Sequence, residues 1–304
     1  MRSTRRRGEG EFKSQKAKRE NTGKETSGYR IKSGMVWISM TNKKNIIVVK
    51  IGGSTLGQHD TTLEDLVELQ KRGQRVVVVH GGGKIISDWL KRMGTSTRFV
   101  QGERVTDKDG LEVVTAVLSG VVNKELSAAI NYLGGKAAGI SGVDGTLLQG
   151  RIKNPELGYV GDVERVNAGL LEALLEAGYI PVVSSISYNA GIKPTEGPLL
   201  LNVNADIAAG EIAATLGAEK LIFLTDIAGI CDKTGKVLSK LDAKEAEDLI
   251  TAGVATSGMI PKIRSGIRAL EGNGTTRIID GRQPHALLKE IERGEGGTTI
   301  VRKF

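Results

Sequence analysis

The sequence predicts an α/β protein: an αβα sandwich in two lobes, with a mostly parallel central sheet between two layers of helices. From Asn45 onward, short β-branched runs alternate with amphipathic stretches, and this alternation is typical of a parallel sheet covered on both faces. Glycine makes up 41 of the 304 residues and only 4% are aromatic. That composition favours ligand sites lined by backbone in loops over a surface on which nucleic-acid bases stack.

The basic charge is confined to an N-terminal extension, residues 1–44. It carries thirteen Lys or Arg and four Asp or Glu, a net charge of +9, whereas the rest of the chain carries 30 basic and 31 acidic residues. With little apolar surface to bury, the extension is expected to be disordered. Nucleic-acid binding by this extension is the less favoured interpretation; translation from Met35 or Met40 is the favoured one.

Three protein classes are excluded or disfavoured. A single cysteine, Cys231, excludes a disulfide framework and a cysteine-based zinc site. No apolar run reaches the roughly 18 residues of a membrane-spanning helix. No secretory or organelle targeting pattern is visible, so a cytoplasmic protein with no membrane partner is expected.

The first half of the body has strands of β-branched residues followed by helices with apolar residues three and four apart. The order is strand, helix, strand, helix, long helix, strand: IIVVKIGG (46–53), TLEDLVELQKRG (62–73), RVVVVHGGG (75–83), KIISDWLKRMG (84–94), LEVVTAVLSGVVNKELSAAINYLG (111–134) and KAAGISG (136–142).

The second half opens with an irregular, hairpin-like stretch from about Thr146 to Val163 and repeats the alternation. A break near residues 190–200 divides the body into an N-terminal lobe, 45–195, and a C-terminal lobe, 196–304. The elements are AGLLEALLEAG (168–178), IPVVSSI (180–186), LLLNVNADIAAGEIAATLGA (199–218), KLIFLTDIAGI (220–230), AKEAEDLITAG (243–253), IPKIRSGIRALEGN (260–273), TRIID (276–280), HALLKEIERG (285–294) and TTIVRK (298–303).

Candidate site residues follow the strands, because ligands of open parallel sheets bind beyond the carboxyl ends of the strands. Lys50 lies late in an apolar strand and precedes Gly52 and Gly53, where backbone amides can approach an anion closely. Taken alone, this pattern fits a tight turn beside a solvated lysine equally well.

A second strand is followed by His80 and three glycines, Gly81–Gly83, directly before a helix. Amides at the positive end of a helix bind anions. The spacing matches neither the dinucleotide fingerprint nor the P-loop of nucleotide triphosphatases. His80 is interpreted as a positioned strand-end histidine rather than a catalytic base.

Two further segments carry charge at helix starts. Asp206 follows Asn202 in the sequence NVNAD; by itself it is a helix cap worth about 1 kcal/mol. Lys262 opens a helix after Gly258 and Met259, where a cation is unfavourable unless an anion shares the site.

Together these lysines and glycine turns indicate a site for a polyanion, and a nucleoside triphosphate fits best. Phosphoryl transfer depends mainly on positioning and charge neutralisation, which lysines, Mg²⁺ and amides supply. No general base is needed if the acceptor is a carboxylate, because a carboxyl with a pKa of about 4.3 is ionised at neutral pH.

Seven segments in order resemble the amino acid kinase family, and within it the enzymes that phosphorylate N-acetyl-L-glutamate. The resemblance covers residues 45–304. The segments are KIGG (50–53), HGGG (80–83), GERVTD (102–107), NK (123–124), NVNAD (202–206), LTDIAGI (224–230) and GMIPK (258–262).

The resemblance implies the amino acid kinase fold and transfer of the ATP γ-phosphate, with Mg²⁺, to the side-chain carboxylate of N-acetyl-L-glutamate in arginine biosynthesis. Lys50 and Lys262 then stabilise the transition state, and Asp206 organises them. The remaining roles are amide donation to the phosphoryl group by Gly53 and Gly82; binding of the acyl amino acid by Gly82, Gly83, Arg104 and Asn202; and phosphate or nucleotide binding by Gly52, Gly53, Asp226, Gly229, Ile230, Gly258 and Met259. No side chain is assigned to the metal.

The family also implies assembly. The N-terminal lobe is expected to bind the acyl amino acid and to dimerise, and the C-terminal lobe to bind the nucleotide. Because the extension has few apolar residues at helical spacing, a homodimer insensitive to arginine is expected rather than a hexamer. Open alternatives are a kinase for carrier-linked α-aminoadipate or glutamate, a relative that uses carbamate, aspartate or a nucleotide as acceptor, and, remotely, a nucleic-acid-binding protein.

Overall fold

A computed structural model describes residues 26–31, 34–39, 45–52, 61–95, 98–100, 103–255 and 258–303. They divide into two compact units at residues 42 and 43. The predicted two lobes of the body therefore belong to one unit, and the turn at which they were divided lies between Asn189 and Leu200.

Within the extension expected to be disordered, the structure has an antiparallel hairpin, β1 (Thr26–Ile31) and β2 (Gly34–Ser39). The prediction did not weigh the run MVWIS, which is rich in residues with high strand propensity. For the rest of the extension the prediction of disorder lies outside the described residues.

The body contains an eight-stranded sheet in the order β14-β16-β15-β13-β3-β4-β10-β7. Neighbouring strands are parallel except β15 and β16, which confirms the mostly parallel sheet. The strands of the body are β3 Ile46–Ile51, β4 Arg75–His80, β5 Phe99–Val100, β6 Glu103–Arg104, β7 Ala137–Ser141, β8 Leu148–Ile152, β9 Val160–Val166, β10 Ile180–Ser184, β11 Ile186–Asn189, β12 Leu200–Val203, β13 Lys220–Thr225, β14 Lys240–Asp242, β15 Thr275–Asp280 and β16 Thr298–Val301.

The helices follow the predicted alternation. They are α1 Thr62–Lys71, α2 Gly83–Arg92, α3 Lys108–Thr115, α4 Asn123–Tyr132, α5 Gly169–Glu176, α6 Ala205–Leu216, α7 Ala243–Thr251, α8 Ile260–Ala269 and α9 Ala286–Arg293. A π-helical segment, Ala116–Val122, joins α3 to α4, so the single long helix predicted here contains a wider turn.

The continuous helical stretch Lys108–Tyr132 is long and apolar enough to cross a membrane by length and composition alone. Half of its apolar window is buried inside the protein. A core helix of a globular protein gives the same pattern, because its apolar residues pack against a sheet.

The sheet has a hydrophobic core on each face, and the strand period of two assigns residues to them. On β3, Ile46 and Val48 belong to the core that includes α6 and α8 residues, while Ile47 and Val49 belong to the core that includes residues of α1, α2 and α4. This layering confirms the αβα sandwich.

Four strands lie outside the main sheet. They form a small closed barrel in the order β11-β12-β9-β8, in which β8 and β9 are the antiparallel pair expected from the hairpin-like stretch. The barrel was not predicted, because its closure depends on contacts between distant strands. It holds β12, which leads into α6 and Asp206.

Candidate active site

Three charged side chains from distant parts of the sequence meet at one point. The Lys50 Nζ forms an ion pair with Asp206 Oδ1 at 2.6 Å. The Lys262 Nζ donates to Asp206 Oδ2 at 3.0 Å. Asp206 is only 5% exposed and Lys50 8%. The structure thus brings together the three residues expected to be catalytic, here called the charged triad.

Strand and helix registers deliver two members of the triad. Lys50 is two residues beyond Val48 on β3, so it lies on the face of the sheet that α6 covers. Asp206 lies in the first turn of α6, where the Asn204 side chain caps the helix by accepting from the Asp206 amide at 2.8 Å. Ala208, two residues after Asp206 on α6, packs in the same core as Val48.

Close packing of α6 against α8 delivers the third member. A Cβ placed on Gly210 would lie 2.7 Å from Ser265 O and 2.8 Å from Ser265 Cβ. Gly210 is one turn after Asp206, and Ser265 is nearly one turn after Lys262. The absence of a side chain at Gly210 therefore lets the two helices approach until Lys262 reaches the carboxylate. Lys262 Nζ also donates to Gly258 O at 3.1 Å.

The triad carries a net charge of +1 in a nearly buried position. Burial by itself would raise the pKa of Asp206, but the charges of Lys50 and Lys262 outweigh it and hold this pKa below its usual value. Asp206 is therefore ionised at neutral pH. One ammonium charge remains without a balancing carboxylate within the triad, and such a centre attracts an anion strongly where water is excluded.

Glycine turns lie beside the triad. Ile51 pairs with His80 across β3 and β4, so Gly52 and the turn Gly81–Gly83 leave the same edge of the sheet. A Cβ on Gly81 would lie 3.7 Å from the Cβ of Ala205, the residue before Asp206. Gly53 lies outside the described residues, so its predicted amide contact stays a prediction.

The turn Gly81–Gly83 leads into α2, whose first amides are unpaired within the helix. Gly82 is the N-cap and provides no capping side chain, and the first helical bond runs from Ile86 N to Gly82 O at 2.9 Å. The amides that precede Ile86 have no helical acceptor. A cationic triad and unpaired amides at one sheet edge form a combination that can bind and stabilise phosphoryl groups.

His80 is fully buried at the end of β4. Its Nδ1 lies 3.0 Å from Gly81 O, and its Nε2 lies 3.1 Å from Asn123 Nδ2. Burial, together with the nearby charges of Lys50 and Lys124, lowers the pKa of His80 to about 4. The imidazole is therefore neutral at physiological pH, which agrees with a positioned strand-end histidine.

Arg104, expected to grip an α-carboxylate, lies beside the glycine turn. Its Nη2 donates to Gly83 O at 2.9 Å and to Ser87 Oγ at 2.8 Å. The guanidinium lies 4.8 Å from the ring centre of Phe99. Burial lowers the pKa of Arg104. The neighbouring Glu103 is paired with Lys153, with 3.1 Å between Oε2 and Nζ.

Asn202 is connected to Arg104 through a buried hydroxyl. Its Nδ2 donates to Thr106 Oγ1 at 3.1 Å, and Thr106 Oγ1 donates to Arg104 O at 3.1 Å. Gly82, Gly83, Arg104 and Asn202, the expected acyl amino acid site, are thus joined by one set of contacts.

The residues expected to bind the nucleotide are of two kinds. Asp226 and Gly258 are exposed. Ile230 and Met259 are only 2% and 7% exposed and pack in the core, and the Ile230 amide donates to Thr298 Oγ1 at 2.8 Å. Gly229, at a φ of 151°, has Thr298 Oγ1 2.8 Å from where a Cβ would lie. In this structure Ile230 and Met259 therefore shape the loops rather than offer side chains to a ligand.

Side chains that could coordinate a metal ion are sparse in the described part of the site. Among the described residues no group of three or more His, Cys, Asp or Glu side chains could hold a metal ion. Each oxygen of Asp206 is already contacted by an ammonium. This carboxylate suits the lysines better than Mg²⁺, which prefers oxygen ligands free of competing cations.

Three polar residues that the sequence interpretation gave no role are part of the site's framework: Thr106, Asn123 and Thr298. Each is a buried side chain. Thr106 donates to the backbone oxygen of Arg104, Thr298 accepts from the backbone amide of Ile230, and Asn123 contacts the His80 ring. Their sequence signal is weak, since a Thr or Asn in an apolar context is common. Thr106 and Asn123 stood in segments that the family resemblance had singled out, and Thr298 did not.

Comparisons with known proteins identify the family and the fold. The model of the amino acid kinase family matches residues 45–280. Acetylglutamate kinase of Dehalococcoides mccartyi (strain ATCC BAA-2266 / KCTC 15142 / 195) is 47% identical over 84% of this chain and 94% of its own length. The crystal structure of smu.665 from Streptococcus mutans UA159 superposes with a TM-score of 0.72 at 30% identity, over 86% of this chain and 100% of that one. N-acetylglutamate synthase of Neisseria gonorrhoeae, complexed with coenzyme A and N-acetyl-glutamate, superposes with a TM-score of 0.73 at 28% identity, over 86% and 60% of the two chains.

Proposed function

The chain belongs to the amino acid kinase family, and on that premise we propose that it transfers the γ-phosphate of ATP to the side-chain carboxylate of N-acetyl-L-glutamate. The product is N-acetyl-L-glutamyl 5-phosphate. The observation that carries the proposal is the charged triad, in which Lys50 and Lys262 reach the two oxygens of the buried Asp206. The 47% identity to acetylglutamate kinase over most of both chains supports this choice of acceptor.

The reaction needs no proton transfer. A carboxylate oxygen attacks the γ-phosphorus, the bond between that phosphorus and the β–γ bridging oxygen breaks, and ADP leaves with the electron pair. Lys50 and Lys262 offset the negative charge that spreads over the transferring group, while Asp206 holds both ammonium groups in place. Such preorganised charge stabilisation is the main source of catalysis in phosphoryl transfer.

The glycine turns supply amides to the same group. Gly82 and Gly53 donate to the phosphoryl oxygens, and Gly52 lets the backbone approach. Support comes from the position of Gly81 beside Ala205 and from the unpaired first turn of α2. Mg²⁺ bound with ATP would be held by the nucleotide's phosphates and would offset part of their charge, as is usual in kinases.

The acyl amino acid lies against Gly82, Gly83, Arg104 and Asn202, with the fork of Arg104 on its α-carboxylate. Asp226, Gly229 and Gly258 lie along the nucleotide, and Ile230 and Met259 shape its loops. We assign the acceptor site and dimerisation to the N-terminal lobe, 45–195, with Asn202 contributed by the C-terminal lobe, 196–304, which binds ATP. A cytoplasmic homodimer, insensitive to arginine and acting in arginine biosynthesis, completes the proposal; light scattering with and without arginine tests its assembly.

The test of function is a hydroxylamine-trapping assay for acyl phosphate with the full chain, ATP, Mg²⁺ and N-acetyl-L-glutamate. Hydroxamate should form with this acceptor and not with L-glutamate, whose amine is charged. Formation only with a carrier-linked aminoadipate or glutamate would replace the proposal with the sibling activity. No hydroxamate with either acceptor, together with salt-dependent DNA binding lost on deleting residues 1–44, would replace it with nucleic-acid binding.

A further inference from the structure

The peptide between Gly81 and Gly82 is contacted on its carbonyl side by the buried His80, which in turn contacts the buried Asn123. The peptide is trans, so its carbonyl and its N–H point in opposite directions. The carbonyl oxygen of Gly81 lies 3.0 Å from His80 Nδ1. A group that fixes this carbonyl therefore also fixes the direction of the Gly82 N–H.

The tautomer of His80 is set by its other neighbour. Asn123 Nδ2 donates to the backbone oxygens of Ile140 and Val182 at 3.0 and 2.8 Å, which orients its NH₂ group toward this cluster. The same NH₂ group lies 3.1 Å from His80 Nε2. An amide nitrogen accepts no hydrogen bond, so Nε2 carries no proton and shares the two NH₂ hydrogens with these backbone oxygens. The ring proton is consequently on Nδ1, where it donates to Gly81 O.

The orientation of Asn123 is itself locked. Lys124 Nζ donates to Asn123 Oδ1 at 3.0 Å and to Gly139 O at 2.7 Å. A Cβ on Gly139 would lie 2.3 Å from Asn123 Oδ1, so the glycine in β7 leaves the space that the amide occupies. Asn123 is fully buried, and a fixed amide in such a place specifies one hydrogen-bond pattern.

We propose that His80 is a positioning residue for phosphoryl transfer: with its tautomer set by Asn123, it holds the Gly81 carbonyl so that the Gly82 N–H is aimed at the transferring phosphoryl group. The inference rests on the proposed function. It adds that the neutral His80 contributes to turnover without touching substrate. A low pKa keeps this ring neutral across the working pH range.

The test compares His80→Leu, His80→Asn and His80→Gln in the full chain. The Asn amide can occupy the position of Nδ1 and donate to Gly81 O, whereas the longer Gln side chain places its amide near the position of Nε2. Loss of one oriented amide from a charge-stabilising site lowers turnover by roughly 10²- to 10³-fold, and misorientation should cost less. We expect kcat of His80→Leu to fall roughly 10- to 100-fold, with the KM of ATP and of N-acetyl-L-glutamate nearly unchanged.

Recovery of kcat in His80→Asn but not in His80→Gln would show that His80 positions the Gly81 carbonyl, because a side chain needed only for packing would be replaced equally well by either amide. Affinity for ADP with aluminium fluoride, a mimic of the transferring phosphoryl group, should fall in His80→Leu by the same factor as kcat. Thr276→Val is the matched control, because it removes another buried side-chain donor to a glycine carbonyl: Thr276 Oγ1 donates to Gly266 O at 2.9 Å. Thr276 lies near the start of β15, whereas His80 lies at the end of β4. It should keep wild-type kcat.

Each outcome decides the inference. If the wild type forms acyl phosphate and His80→Leu retains its kcat, or if Asn and Gln behave alike, the inference is overturned while the proposed function stands. If turnover instead requires a deprotonated group that is lost in all three variants, the ring acts directly on the reactants and the positioning role is wrong. If His80→Leu does not fold, the comparison of Asn with Gln decides alone. A wild type that forms no acyl phosphate refutes the proposed function as well.

Discussion

The two faces of the central sheet end in different chemistry at the same edge. On the face covered by α6 and α8, β3 ends with Lys50 in a triad of charges that sums to +1. On the other face, β4 ends with His80, held neutral by burial and by the charges of Lys50 and Lys124. The charged face can offset the charge of a polyanion, and the neutral face can orient the backbone amides without adding charge. If both proposals hold, stabilising charge and fixing geometry are tasks of separate sets of side chains.

The largest effect is expected from Asp206→Ala, which removes the centre of the charged face. Two ammonium groups would then lie close together, nearly buried and uncompensated, so the free energy of unfolding should fall by about 3–5 kcal/mol and turnover should be lost. Urea denaturation measures the first and the hydroxamate assay the second. Glu211 lies on α6, as Asp206 does, and forms a partly exposed ion pair with Arg268 of α8. Glu211→Ala, which breaks this pair, should lower the free energy of unfolding by at most about 1 kcal/mol. Equal losses in the two variants would contradict a special role for the triad.

Lys50→Ala and Lys262→Ala test the charges themselves. Each should lower kcat at least roughly 10²-fold, because each removes charge stabilisation that acts in the transition state. Initial rates at saturating ATP and acceptor measure this, with the exposed Lys289→Ala as control. Wild-type kcat in Lys262→Ala would show that the lysine serves only the fold.

Arg104→Ala tests whether Arg104 binds the acceptor or positions the glycine turn Gly81–Gly83. A hydrogen bond to a charged group contributes about 1.5–3 kcal/mol, so the KM of the acceptor should rise roughly 10- to 100-fold. A fall in kcat with an unchanged KM would instead show that Arg104 orients the glycine turn through its hydrogen bond to Gly83 O.

The last expected effect is a pH dependence of stability, with no change in turnover at neutral pH. The folded-state pKa of His80 is about 4, below its unfolded value of about 6.5, so between these values the unfolded chain binds a proton that the native ring does not. Stability should therefore fall as pH decreases below about 6.5, by about 1.4 kcal/mol per pH unit from this group, and the loss should level off near pH 4. Urea midpoints of the wild type and His80→Asn from pH 7 to pH 5 measure it. Parallel curves for the two proteins would show that His80 does not titrate in this way.

Much of the site followed from local patterns. A lysine late in an apolar strand predicted Lys50 at the edge of the sheet where ligands bind, and three glycines after β4 predicted amides at a helix start. The hairpin β1–β2 was missed because the basic composition around it concealed a short run of strand-forming residues. The wide turn Ala116–Val122 was missed because the apolar pattern does not specify the hydrogen bonds between residues five apart that define a π-helix.

The sequence alone determined the alternating elements, the faces on which apolar residues lie and the edge at which charged and glycine residues emerge, because these depend on spacing along one segment. Only the tertiary structure decided that Lys262 reaches Asp206 and that Asn123 reaches His80. The first contact depends on the approach of α8 to the bare backbone of Gly210, and the second on the space left by Gly139. Both are distances between segments remote in sequence, set by packing, and no period or composition within one segment specifies them.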